Sequence, residues 1–92
     1  MVLSTGINRI RTAVFISGTG SNLKSLVKFS KTKLSPISIN FIVSNNSKAK
    51  GLNYAKKFKI KKKVLNFKNK KISENMLLSI LKKNNIEMIC LA

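Results

Sequence analysis

Four short apolar runs alternate with three stretches of helical spacing, and that alternation leaves few folds open. The first run, residues 12–17 (Thr-Ala-Val-Phe-Ile-Ser), is partly β-branched and stops at Gly18, as a buried strand does. From Asn22 the period lengthens. Leu23, Leu26, Val27 and Ser30 share one helical face, while Lys24, Lys28 and Lys31 take the other. Pro36 breaks that helix, and residues 37–43 (Ile-Ser-Ile-Asn-Phe-Ile-Val) read as a second strand. Beyond the turn Ser44-Asn45-Asn46-Ser47, the residues Leu52, Ala55 and Phe58 predict a short helix opened near Gly51. Residues 63–67 give a weaker third strand. Ile72, Met76, Leu77, Ile80 and Leu81 then make the clearest amphipathic helix, ending near Asn84-Asn85. Residues 87–92 (Glu-Met-Ile-Cys-Leu-Ala) form a fourth strand. The order β-α-β-α-β-α-β calls for right-handed crossovers, and so for an α/β fold with a parallel sheet covered by helices on both faces.

Composition removes whole classes of function. The 92 residues make one domain at most. No apolar run approaches the ~20 residues of a membrane span, and no apolar block follows the first charges as in a secretory signal. With no histidine, the chain lacks a His-dependent triad or a His-ligated zinc centre. A single cysteine, Cys90, forms no internal disulfide and no four-cysteine metal site, so no metal is expected. These features predict a cytoplasmic chain without a membrane partner.

The net charge of +17 suggests a polyanionic partner at first sight. Its make-up argues otherwise. The basic residues are 17 Lys and only two Arg, Arg9 and Arg11, and Arg is the side chain whose planar fork reads phosphates and guanine edges. Lys, Ile and Asn together supply 39 of the 92 residues, a joint excess that inflates an apolar residue as much as a basic one, as codon bias would. The runs Lys61-Lys62-Lys63 and Lys70-Lys71 read as solvated loop or edge positions. No specific nucleic-acid partner is expected.

In a parallel sheet of this kind, ligands sit beyond the carboxyl ends of the strands where strand order reverses. The loop after the first strand, Ser17-Gly18-Thr19-Gly20-Ser21-Asn22-Leu23, is therefore the place to look for chemistry. Two glycines permit close approach of a ligand to the main chain, Ser21 or Asn22 can cap the next helix, and the N–H groups of that helix start suit a phosphate. The same residues would also serve as a plain strand-to-helix turn. A dinucleotide is disfavoured, because Leu23 stands where a third glycine is wanted and Ser44-Asn45-Asn46 where an acid is wanted. No Gly-Lys-Ser/Thr P-loop exists either. A terminal monophosphate on a small metabolite remains.

These residues also carry a resemblance. Ile16-Ser17-Gly18-Thr19-Gly20-Ser21-Asn22-Leu23 resembles the opening of the phosphoribosylglycinamide formyltransferases, folate-dependent enzymes of purine synthesis. The likeness continues through Ile42-Val43-Ser44-Asn45, Ala49, Gly51-Leu52 and Ala55, and returns at Cys90-Leu91-Ala92. It implies a Rossmann-like sheet, with residues 1–11 an N-terminal extension and residues 12–92 the N-terminal half of a formyltransferase domain, truncated after the fourth strand. It implies that Gly20, Ser21 and Asn22 hold the phosphate of glycinamide ribonucleotide. It also implies that a basic residue after the third strand, for which Lys70 is the closest match, touches the formyl donor 10-formyltetrahydrofolate. A solvated loop lysine is the plainer reading of Lys70.

The resemblance implies that the counterparts of the family's folate loop, its Asn-x-His motif and a later Asp are to be expected beyond Ala92. Formyl transfer needs a general acid/base and an oxyanion stabiliser, and the only carboxylates here, Glu74 and Glu87, read as surface residues. The expectation is a chain that carries the substrate-phosphate loop and is inactive alone. Strand four should lie beside strand one, with an open apolar edge that invites self-association. The alternative is a small basic nucleic-acid-binding α/β protein. It is disfavoured because the aromatics are not interleaved with Lys on one strand face as a base-stacking platform requires.

Overall fold

The computed structural model describes residues 9–18 and 21–92. Most of the expected N-terminal extension (residues 1–8) and Gly20 lie outside the described residues. The elements are β1 (Ile10–Ile16), α1 (Ser21–Ser30), β2 (Ile37–Ser44), α2 (Leu52–Lys57), β3 (Lys61–Val64), α3 (Lys70–Lys83) and β4 (Met88–Leu91). The four strands form one parallel sheet in the order β3-β2-β1-β4, so strand order reverses between β1 and β4.

Alternation along β1 and β2 sorts the core into two layers. Val14, Ile16 and Ile42 point to one face and pack with Leu23 and Val27 of α1 and with Leu52 and Ala55 of α2. Ala13, Phe41 and Val43 point to the other, with Leu65, and meet Leu77, Ile80 and Leu81 of α3. Each fully buried Leu, Ile or Val contributes about 1.5–3 kcal/mol by leaving water, and Val14, Leu23, Val27 and Ile42 are all at 0% exposure. The α3 layer is thinner. Of the expected apolar stripe, Leu77, Ile80 and Leu81 pack on this layer, while Ile72 is 57% and Met76 40% exposed.

Several boundaries differ from the sequence reading. β1 begins at Ile10, whose N–H donates to the Pro36 carbonyl at 2.8 Å. α1 stops at Ser30, well before Pro36, and takes in Ser21 and Asn22 as its first two residues, so neither is its cap. β3 lies earlier than residues 63–67, because its pairing with Phe41–Ser44 falls on Lys61–Val64. Leu65 then donates to the Ser44 carbonyl at 2.9 Å just past the ladder, and its side chain turns inward at 2% exposure. α3 begins at Lys70, so Lys70 and Lys71 are its first turn rather than loop, capped by Asn69, whose Oδ1 accepts the Ile72 N–H at 3.2 Å.

The helix C-termini are closed by two devices. Lys59 (φ 58) and Asn85 (φ 54) adopt left-handed backbone after α2 and α3. After α2, Ile60 donates back to Ala55 at 2.8 Å and Lys59 to Lys56 at 3.3 Å; after α3, Ile86 donates to Leu81 at 2.9 Å and Asn85 to Lys82 at 3.2 Å, in each case the paired bonds of a Schellman turn. The two arginines do the rest. Arg9 donates from Nη1 to the Ser30 carbonyl at 3.0 Å and from Nη2 to those of Thr32 and Lys33 at 3.2 Å. Arg11 donates from Nε to the Asn84 carbonyl at 2.9 Å, while its N–H donates to Glu87 Oε1 at 3.1 Å.

Candidate functional site

The carboxyl ends of β1, β2 and β4 open into a cleft of about 310 Å³, walled by Phe15, Ser17, Asn45, Phe67, Leu91 and Ala92. It lies at the reversal of strand order, where β4 joins β1 and the Ala92 N–H donates to the Phe15 carbonyl at 2.9 Å. Ser17 leads from the cleft into the glycine loop, and α1 begins with Ser21 and Asn22, both exposed. The first N–H groups of a helix have no partner within it, and they carry the positive end of its dipole. No acidic residue stands in the first turn of α1. This helix start therefore suits an anion.

The turn after β2 supports that loop. Ser44 Oγ donates to the Asn46 carbonyl at 3.0 Å and accepts the Asn46 N–H at 3.1 Å, and Asn46 Oδ1 accepts the Lys48 N–H at 2.9 Å. Ala49 and Leu52 are buried beneath it. Gly51, which opens α2 without a side-chain cap, donates its N–H across to the Gly18 carbonyl at 3.3 Å. The Val-Ser-Asn turn is thus rigid by local bonds and tied to the glycine loop by one main-chain bond. Sequence reasoning found the residues but not the tie, since main-chain pairing between two loops leaves no side-chain signature.

Lys70 sits at the head of α3, three residues after Phe67 of the cleft wall. Its side chain is 83% exposed, with Nζ 3.9 Å from Glu74 Oε1. Such a surface pair is worth well under about 1 kcal/mol and leaves the ammonium free to turn to another partner. Glu74 is 52% exposed in this pair, and Glu87 accepts the Arg11 N–H at the opposite, amino end of the sheet. Neither carboxylate lines the cleft. Phe67 and Asn45 are the cleft residues that no motif singled out by role. A larger groove of about 580 Å³ lies away from the loop, where α3 leaves the β3 edge uncovered, and Lys61, Lys63 and Lys83 rim it. Lysines on an edge strand oppose pairing with another chain.

Among the described residues no helix is long and apolar enough to cross a membrane, and no group of three His, Cys, Asp or Glu comes together to hold a metal.

A doubly wound parallel sheet whose first loop aims a helix start at the strand-order reversal defines a class of α/β proteins that hold anionic ligands at that point. The chain belongs to the formyl transferase family, whose model matches residues 10–92. It is 33% identical over 87 residues to the human trifunctional purine biosynthetic protein adenosine-3, covering 91% of this chain but 9% of that protein. Among solved structures, it is similar to phosphoribosylglycinamide formyltransferase from Brucella melitensis, at 31% identity and a TM-score of 0.85, covering 91% of this chain and 45% of that one. The enzyme of the same name from Anaplasma phagocytophilum matches at 34% identity and a TM-score of 0.81, over 92% of this chain and 40% of that one. The chain thus spans less than half the length of each of these relatives. None of these likenesses supports the nucleic-acid-binding alternative.

Proposed function

We propose that these residues are the substrate-phosphate half of a phosphoribosylglycinamide formyltransferase, which moves a formyl group from 10-formyltetrahydrofolate to the amino group of glycinamide ribonucleotide in purine biosynthesis. The observation that carries the reading is the start of α1 at Ser21 and Asn22, exposed beside the cleft in a family-matched fold. Main-chain N–H groups of Gly20, Ser21 and Asn22 bind the ribonucleotide phosphate, where the helix dipole adds to each bond. Lys70, at the head of α3, offers a cation to the formyl donor, and Phe67 offers it an apolar wall. When the amine attacks the formyl carbon, it must lose a proton, and the carbonyl oxygen gathers negative charge. Glu74 and Glu87 both lie outside the cleft lining and no histidine exists among the 92 residues. These residues therefore bind and orient, and the proton-transfer groups come from other residues of the working enzyme.

Calorimetric titration of the natural polypeptide carrying these residues with glycinamide ribonucleotide tests the reading. The expected outcome is saturable binding that inorganic phosphate competes away and that Gly20→Val weakens. Binding indifferent to both, or none, would overturn it.

A further inference from the structure

The groove of about 580 Å³ between α3 and the β3 edge combines an apolar lining with a ring of cations. Lys61 pairs with Phe41 and Lys63 with Val43, so both lysines stand on the α3 face, in register with residues of its core. Phe41, Met76 and Ile80 supply the apolar lining, and Lys61, Lys63 and Lys83 the positive rim. Lys61 Nζ lies 3.5 Å from Asn84 Oδ1, and Asn84 Nδ2 donates to the Ile80 carbonyl at 2.8 Å, so β3 and the end of α3 are joined across it. None of its lining residues carries a carboxylate, and Glu74, next to the lining residue Asn75, pairs with Lys70. Lysines on an edge strand deter a partner strand by charge alone. That role does not account for the open apolar lining, where Met76 stands 40% exposed.

We propose that this groove binds a small organic anion with a flat apolar body: a carboxylate, sulfonate or phosphate carried on an aromatic skeleton. Its volume lies within the range of small-molecule sites, about 300–1,000 Å³. The apolar lining takes the body of such a ligand, Met76 adapts to its outline, and the lysines meet its charged head. A second copy of the chain is the poorer occupant, because the lysines of β3 oppose strand addition and a chain of net charge +17 would bring like charge to the rim. The groove shares no lining residue with the cleft at the carboxyl ends of the strands, so it is a separate site.

Titration of the natural polypeptide carrying these residues with anilinonaphthalene sulfonate, followed by the probe's fluorescence, tests this. The expected result is one saturable site that neither glycinamide ribonucleotide nor 10-formyltetrahydrofolate displaces. Lys63→Ser and Lys83→Ser should each weaken the probe about threefold and together about tenfold, the range of exposed charge pairs. Met76→Ser, at an exposed position, should weaken it about threefold through lost apolar contact. Lys56→Ser removes the same charge from α2, outside the groove, and should leave affinity unchanged. Phenylnaphthylamine, the same aromatic body without the sulfonate, should bind about tenfold more weakly, since only the charged head meets the lysines. Absence of a saturable site overturns the proposal, as does displacement by either substrate, which would put the probe in the cleft. Equal loss with Lys56→Ser would mean net charge alone, and indifference to the Lys63, Lys83 and Met76 substitutions or equal affinity for the neutral probe would be as fatal. These outcomes do not depend on the phosphate reading of the glycine loop.

Discussion

The two ends of the sheet use their polar groups in opposite ways. At the amino end lie the C-termini of all three helices. Their orphan carbonyls are taken by Arg9 at α1, by the Schellman turn through Lys59 at α2, and by both Arg11 and the Asn85 turn at α3. At the carboxyl end lie the helix N-termini. There α3 has its Asn69 cap, α2 has no side-chain cap, and α1 opens on exposed Ser21 and Asn22 beside the cleft. The contrast is between an amino end closed by the fold's own bonds and a carboxyl end where Asn69 caps α3 and the start of α1 is the place proposed above for a phosphate.

The largest expected effect concerns the 92 residues taken by themselves. A polypeptide of only these 92 residues is expected to show no formyl transfer and to associate through the outer edge of β4, where Ile89 is 45% and Leu91 83% exposed. Sedimentation should find larger species whose share rises with concentration, and Ile89→Lys should return them to monomer. A monomeric wild-type fragment with turnover would refute both expectations.

At the closed end, Arg11→Ala should cost about 1.5–3 kcal/mol of stability, the usual loss for a hydrogen bond from a charged donor, while leaving ribonucleotide affinity untouched. Denaturant unfolding paired with calorimetry reads both quantities. At the open end the pattern should invert. Gly20→Val should weaken ribonucleotide binding by about 1–3 kcal/mol at nearly constant stability. If either variant moved the quantity assigned to the other, the division of labour between the ends would be wrong. The smallest expected effect is at Lys59, an L residue held at φ 58. Lys59→Gly should stabilise the chain by about 0.5–1 kcal/mol by relieving the left-handed strain, visible as a modest rise in melting temperature.

What the sequence disclosed follows from what side chains record. Period-two runs in β1 and β2 and the Leu23, Leu26, Val27 and Ser30 face of α1 are patterns of burial, and burial is what residue type reports. The lysines Lys61-Lys62-Lys63 read as loop or edge positions and do lie on the edge strand β3, but only the pairing with β2 shows where that strand begins. The apolar Leu65 and Phe67 drew the expected strand too far along, although they serve the core and the cleft. Arg9 and Arg11 carry the forked side chain that can read phosphates. Their real partners are carbonyls 21 and 73 positions away, which no local pattern encodes. The loop Gly20-Ser21-Asn22 was legible as a motif, but the bond from the Gly51 N–H to the Gly18 carbonyl emerges only in three dimensions.

The central position of β1 also sets an order of assembly. Its pairing with β2 closes a short stretch of chain, setting Ile10 beside Ile37, whereas its pairing with β4 sets Thr12 beside Met88. Loop closure over longer separations costs more entropy, and non-local parallel pairing is slow. During synthesis, residues 10–64 can form β1, β2 and β3 with α1 and α2 on one face before β4 has left the ribosome. Until α3 and β4 arrive, Ala13, Phe15, Phe41 and Val43 face water on the other side. That nascent half-sheet, apolar on one face and flanked by the lysines of β3, is the species on which chaperones would act.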